Sequence, residues 1–189
     1  MADAAHLPIA LTRPRTVAEF LVWEEAQADK HEFRAGQIRM MTGGTLRHTR
    51  IAGNIFTALR AKLGGGRCQP YLMNARVALR ETDAGYYPDV VVDCGPYVGN
   101  ALATSEPTVV FEVLSPSTRN TDFSEKVPDY RDTATMQQIV LVEPDERKLH
   151  VWTRKESGWR QSELGAASAV LELLSLGVSL TLDEIYAGA

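Results

Sequence analysis

The chain has 189 residues, 44% of them hydrophobic, with a formal net charge of −4 and a pI near 5.6. This length fits one domain with a real core, and the acidic balance excludes nucleic-acid binding through a uniformly basic surface. No apolar stretch approaches the roughly 18 residues that a membrane span requires, and residues 1–14 contain no run resembling a signal peptide, so a cytoplasmic protein with no membrane partner is expected.

In chain order, residues 1–15, with Pro8 and Pro14, read as a loose leader, leaving 16–189 as the domain. Thr16-Val17-Ala18-Glu19 matches a capping box opening a first helix that runs to about Ala28. His31-Glu32-Phe33-Arg34, the turn Ala35-Gly36 and residues 37–41 read as a β-hairpin. Gly43-Gly44 breaks that strand. Thr45 then caps a second helix, in which Ile51, Ile55, Ala58, Leu59 and Leu63 recur at helical spacing until Gly64-Gly65-Gly66 ends it. Arg47, Arg50, Arg60, Lys62 and Arg67 fall in this stretch, either as a local basic groove or as a solvated helix face.

A strand is expected over 71–79, then a turn at 82–85. Val90-Val91-Val92 and residues 109–114 are short continuous apolar runs, as for central strands covered on both faces. Between them 95–107 is irregular, and a helix is expected from Ser124 to Thr133. Three strands follow at 138–143, 149–154 and 159–162, then an apolar segment at 170–174, a strand near 178–180 and a short helix from Asp183. One mixed α/β domain accounts for this order. Cys68 and Cys94 form no CxxC or zinc pattern and, without a secretion signal, read as reduced thiols.

The chemistry concentrates at Pro88-Asp89 and at Glu112 inside Val109-Val110-Phe111-Glu112-Val113-Leu114. Two carboxylates on neighbouring apolar strands are costly to ionise unless something compensates them. A hard divalent cation such as Mg²⁺ or Mn²⁺ does so for both, with the Val113 carbonyl as a third oxygen. Such a cation polarises phosphate and lowers the pKa of bound water. Lys126 then supplies a compact positive charge for the attacking hydroxide or the pentavalent phosphorane. The bland alternatives are a strand-start aspartate at 89, an edge-strand glutamate at 112 and an exposed helix lysine at 126. Ser115-Pro116-Ser117-Thr118 reads first as a strand stop and cap, and second as a phosphate or Glu112 support.

Tyr87-Pro88-Asp89-Val90-Val91-Val92, then Val110-Phe111-Glu112-Val113-Leu114-Ser115-Pro116-Ser117-Thr118, then Glu125-Lys126 and Tyr130-Arg131 resemble the Uma-two family of restriction-endonuclease-like proteins, within the PD-(D/E)xK nuclease superfamily. The resemblance spans most of the chain, from Glu32-Phe33-Arg34-Ala35-Gly36-Gln37-Ile38, His48, Ile51 and Asn54 to Tyr186. It implies a mixed β-sheet flanked by helices, with Asp89 and Glu112 as metal ligands. The superfamily's lysine position is Leu114 here, so its role passes to Lys126. Glu32 and His48 match family positions near the site. Glu32 would serve the metal or its water, and His48 the phosphate or acid–base chemistry; an exposed hairpin glutamate and a structural helix-start histidine are the alternatives. Relatives carry aspartate where this chain has Asn74, and Pro128 requires the helix to begin close to Lys126.

The expected function is therefore Mg²⁺- or Mn²⁺-dependent endonucleolytic cleavage of DNA. A catalytically inactive nuclease-like binding or dimerisation module is the competing expectation, motivated by Leu114, the acidic pI and Pro128. A homodimer is also expected, with Trp152, Trp159 or the terminal apolar segment as candidate surface.

Overall fold

The strand residues alternate between two hydrophobic layers. A computed structural model describes residues 13–166 and 168–189, so most of the expected leader lies outside it. Six strands form the main sheet in the order β10-β9-β8-β7-β6-β3. They are β3 (Gln69–Leu72), β6 (Val90–Asp93), β7 (Pro107–Val113), β8 (Gln138–Val142), β9 (Leu149–Lys155) and β10 (Gly158–Leu164). Only β7 and β8 are parallel among these neighbours, so the sheet is mixed, as expected. All seven residues of β7 are buried, which is why it is apolar on both faces apart from Thr108 and Glu112.

Phe111 and Val113 face α2 (Leu46–Leu63) through Ile51, Ala52, Ile55 and Leu59. Val110 and Leu114 face the opposite layer with Tyr86, Tyr130 and Met136. Glu112, of the same parity as Val110, points into that second layer. There it meets a four-stranded sheet ordered β2-β1-β5-β4, built from β1 (His31–Arg34), β2 (Gln37–Met40), β4 (Val77–Leu79) and β5 (Ala84–Tyr86). The hairpin turn is tight because Ala35 and Gly36 both take positive φ, 45° and 80°. β11 (Val170–Leu173) and β12 (Val178–Thr181) form a separate pair, and α5 (Leu182–Ile185) closes the chain.

Several expectations change. The first helix, α1, covers Val17–Glu24 and stops short of Ala28. Thr16 does cap Glu19 N at 3.2 Å, but the Glu19 carboxylate accepts the N–H of Arg15 instead of that of the cap residue. The strand expected over 71–79 is two strands in different sheets, separated where Asn74 and Ala75 both turn back onto the Leu72 carbonyl. The turn expected at 82–85 is shorter, since Ala84 and Gly85 already belong to β5.

Cys68 and Cys94 form a disulfide, which corrects the reading of two reduced thiols. The cause is register: Gln69 on β3 pairs with Asp93 on β6, so the next residue outward on each strand is a cysteine. The helix after β7 begins at Arg119, earlier than Ser124. It runs through α3 (Arg119–Thr121), a π-wound turn (Asp122–Lys126) and α4 (Val127–Asp132). Pro128 therefore sits well inside a helical segment. The π turn directly before it, closed by Val127 N–H onto the Asp122 carbonyl, winds wider where a proline ring would crowd an ordinary turn. Ser115 and Thr118 act as the cap, with Thr118 N–H donating to Ser115 Oγ at 3.2 Å.

Candidate active site

β6 and β7 bring the first two acids together. Asp89 ends the approach to β6, and its Oδ2 accepts the backbone N–H of Val113 at 2.7 Å. Glu112, 4% exposed, lies one residue earlier on β7. Its Oε1 accepts the Tyr130 hydroxyl at 2.8 Å and Lys126 Nζ at 3.2 Å. Lys126, also 4% exposed, reaches inward from the π turn. Its ammonium lies 2.8 Å from Glu32 Oε1 on β1 and 5.5 Å from the centre of the Tyr86 ring.

His48, in the first turn of α2, places Nε2 3.1 Å from Asp89 Oδ2. Its Nδ1 is buried without a hydrogen-bond partner, and Gly44 lies directly against it: a Cβ there would fall 2.9 Å from that atom. Asp89, Glu112, Lys126, Glu32 and His48 thus form one connected cluster drawn from both sheets and two helices.

Charge in the cluster is unbalanced. Burial pushes the Glu112 carboxyl well above its ordinary range, Lys126 opposes that shift, and Asp122, Asp89 and Glu32 add to it. Lys126 loses solvation on burial, yet Glu112, Glu32 and Asp122 raise its pKa and keep it protonated. His48 is lowered by burial, but the hydrogen bond and charge of Asp89, with the Val113 backbone, raise it overall. One lysine and one histidine thus face four acids, and the surplus is negative.

That surplus suits a divalent cation. Asp89 Oδ1 and Glu112 Oε2 make no hydrogen bond among the described residues, so each acid keeps one oxygen to offer. Two carboxylates with a backbone carbonyl make a hard, all-oxygen set of the kind Mg²⁺ accepts alongside water and substrate phosphate. Among the described residues no three His, Cys, Asp or Glu side chains converge as a self-sufficient metal cage.

Two site residues have no counterpart among the expected ones. Tyr130 orients Glu112, and Asp122, 1% exposed, stands 3.4 Å from Lys126 Nζ. The signal for Asp122 was its place one helical turn before the lysine. Asn74 accepts a hydrogen bond from Lys30 and bonds none of the cluster residues.

The basic stretch is largely neutralised locally. Arg47 pairs with Asp145, Lys62 with Glu184 and Arg67 with Glu106, while Arg50 binds the Gly188 carbonyl and Arg60 the Gln69 side chain. Trp152 is buried, and Trp159 packs against that layer under Arg154. No helix among the described residues is long and apolar enough to cross a membrane.

Residues 17–183 match the family model Uma2, described as "Putative restriction endonuclease". Two proteins of Synechocystis sp. (strain ATCC 27184 / PCC 6803 / Kazusa), both described as uncharacterized, are similar along nearly their whole length. The chain is 33% identical to slr1290 over 185 residues, covering 97% of each. It is 28% identical to sll1609 over 168 residues, covering 87% of this chain and 95% of that one. A crystal structure described as a "putative nuclease belonging to DUF820", from Anabaena variabilis ATCC 29413, superposes with a TM-score of 0.75. It covers 92% of this chain and 98% of its own at 19% identity, which establishes a shared restriction-endonuclease-like fold.

Proposed function

The chain belongs to the Uma2 family, and from that membership together with the site geometry we propose that it is a divalent-cation-dependent endonuclease hydrolysing DNA phosphodiesters. The observation that carries the reading is the buried Lys126 ammonium 3.2 Å from Glu112, with Asp89 fastened to the backbone of the residue after that glutamate. Asp89, Glu112 and the Val113 carbonyl are the groups that would hold Mg²⁺ or Mn²⁺. When bound, the cation supplies Lewis acidity toward the phosphate and an acidified water.

The chain's own groups do the rest. Lys126 presents a fixed positive charge where the phosphate gathers negative charge, a preorganised contribution that needs no rearrangement during reaction. Glu32 holds that ammonium from the side of β1, and the Tyr130 hydroxyl fixes the rotamer of Glu112. His48 orients Asp89: with Nδ1 closed off by Gly44, Nε2 is the nitrogen left to face the carboxylate. Purified protein should nick or cut DNA with Mn²⁺ and lose that activity in Glu112→Ala. Cleavage that survives the substitution rules the assignment out.

A second reading, a catalytically inactive binding module, is favoured by one observation. Leu114 fills the superfamily's lysine position and is buried in the core, 2% exposed. Titration calorimetry separates the two. Measurable Mg²⁺ or Mn²⁺ uptake that disappears in Asp89→Asn supports the nuclease, and no uptake supports the module.

A further inference from the structure

An ammonium has three N–H bonds, and three carboxylates surround that of Lys126. Glu32 lies at 2.8 Å, Glu112 at 3.2 Å and Asp122 at 3.4 Å. Two of them also hold other donors, since Glu32 accepts the Tyr87 N–H at 3.4 Å and Glu112 accepts the Tyr130 hydroxyl. Asp122 differs. Its side chain is 2% exposed, yet Oδ1, the oxygen nearest the ammonium, is buried without a hydrogen-bond partner.

The compensation of that oxygen is the Lys126 charge alone, at a distance longer than an ordinary hydrogen bond, so the contact has room to tighten. Its placement is specific as well. The π turn sets Asp122 and Lys126 four residues apart on the same helical segment, with Asp122 Oδ1 3.4 Å from the ammonium. Glu112 meanwhile has two demands on one negative charge: Oε1 accepts from Lys126 and Tyr130, and a divalent cation held at Oε2 would weaken the attraction of that carboxylate for the ammonium.

We propose that Asp122 is a positioning residue: it keeps the Lys126 ammonium in place when Glu112 is given over to the divalent cation, leaving one N–H directed at the scissile phosphate. This rests on the nuclease reading above and names a residue that the reading does not use. Asp122 stands 3.4 Å from the ammonium. With Glu112 engaged elsewhere, Asp122 becomes the second carboxylate, after Glu32, that anchors the lysine.

The test is lysine ammonium NMR on the full chain, without DNA, as Mg²⁺ is added. The Lys126 signal is identified by its absence in Lys126→Met. In the wild type it should change in chemical shift as Mg²⁺ binds but persist through the titration, held against exchange by two carboxylates. In Asp122→Asn it should be present without Mg²⁺ and vanish once Mg²⁺ is added. A signal that persists equally in Asp122→Asn overturns the assignment while leaving the nuclease reading intact. A wild-type spectrum that does not respond to Mg²⁺ overturns both.

Cleavage assays add a second readout. Asp122→Asn should lower kcat and kcat/KM together by about a hundredfold, the scale of loss for a misplaced catalytic group. Asp122→Glu should recover part of it, whereas unchanged kcat in Asp122→Asn overturns the proposal. Asp122→Ser takes the place of Asp122→Asn in both experiments if the latter does not fold, with the same outcomes.

Discussion

Asp89 accepts the N–H of Val113 at 2.7 Å, so the first acid is fastened to the residue immediately after the second. The bond crosses from the entrance of β6 to the end of β7, where the ladder's last register pair is Val90 with Phe111. Strand pairing alone places the two backbones side by side; this side-chain bond fixes where the Asp89 carboxylate points. It serves stability and the site at once, and the two uses separate by substitution.

Asp89→Ala strands a Val113 N–H in a part-buried position, at a cost of about 1–3 kcal/mol. Asp89→Asn retains an oxygen that can accept the same N–H and should lose less than half as much. Both should abolish cleavage, because neither supplies a negatively charged oxygen. Urea unfolding alongside a plasmid-nicking assay checks this, and equal destabilisation by the two variants contradicts it.

Lys126 is the one lysine that contacts Glu32, Glu112 and Asp122 among the described residues, so its removal should have a pH signature. In Lys126→Met the buried carboxylates lose their cation, and breaking a buried pair costs about 3–5 kcal/mol. The sign follows from Glu112, which burial already raises well above its ordinary value of 4.5. A carboxyl raised in the folded state binds its proton more tightly folded than unfolded, so stability falls as pH rises above the ordinary value. The deficit of Lys126→Met relative to wild type should therefore be largest near neutrality and shrink as pH falls toward 5. Chemical denaturation across that range measures it; a pH-independent deficit would contradict the charge imbalance.

Gly44 tests the His48 arrangement. An added methyl would sit 2.9 Å from Nδ1 and 3.0 Å from Cγ of the imidazole, too close for the ring to stay. Gly44→Ala should push His48 away from Asp89. Because Asp89 supplies the bond and charge that raise the His48 pKa, the displaced ring should titrate lower than in wild type. Cleavage should drop with Mn²⁺ while the melting temperature changes little. Histidine NMR titration gives the decisive comparison, and an unshifted His48 resonance would show that the ring tolerates the methyl.

How much of this was legible in the chain depends on how local each cause is. The central strands were readable because β6 and β7 are buried on both faces and so carry the continuous apolar stretches Val90-Val91-Val92 and Val109-Val110-Phe111. Thr45 and Gly64 marked α2 through their own capping chemistry. Asp89, Glu112 and Lys126 were recognisable because charge inside apolar sequence calls for a partner. Features that failed to show were set by distant pairing. β4 and β5 have three residues each, and the turn between them uses Asp83 at a φ of 50°, so no periodicity could accumulate. Asp122 looks like any helix aspartate until Lys126 and Glu112 converge on it. The early start of its helix was hidden because Pro128 suggests a helix beginning, and only the π turn explains how a proline sits inside.

The disulfide belongs to that non-local class and yields the last prediction. Cys94 follows β6 at the end opposite Asp89, with Val90–Asp93 between them. At about 3.3 Å per residue the two lie roughly 16 Å apart along the strand. The bond joins residues 26 apart in sequence, for which the chain-entropy account gives about 3.5 kcal/mol of stabilisation. It also ties edge strand β3 to the sheet at a point where Arg67 bonds the Cys94 carbonyl. Reduction, or Cys94→Ser, should therefore lower the urea midpoint substantially while leaving Mn²⁺ affinity and cleavage of the folded protein within about twofold, since no contact of the acid cluster passes through this end of the strand. Unfolding curves and calorimetric titration with and without reductant distinguish the outcomes. Loss of metal binding on reduction, under conditions where the chain remains folded, would show that the two ends of β6 are coupled and that the site depends on the covalent tie.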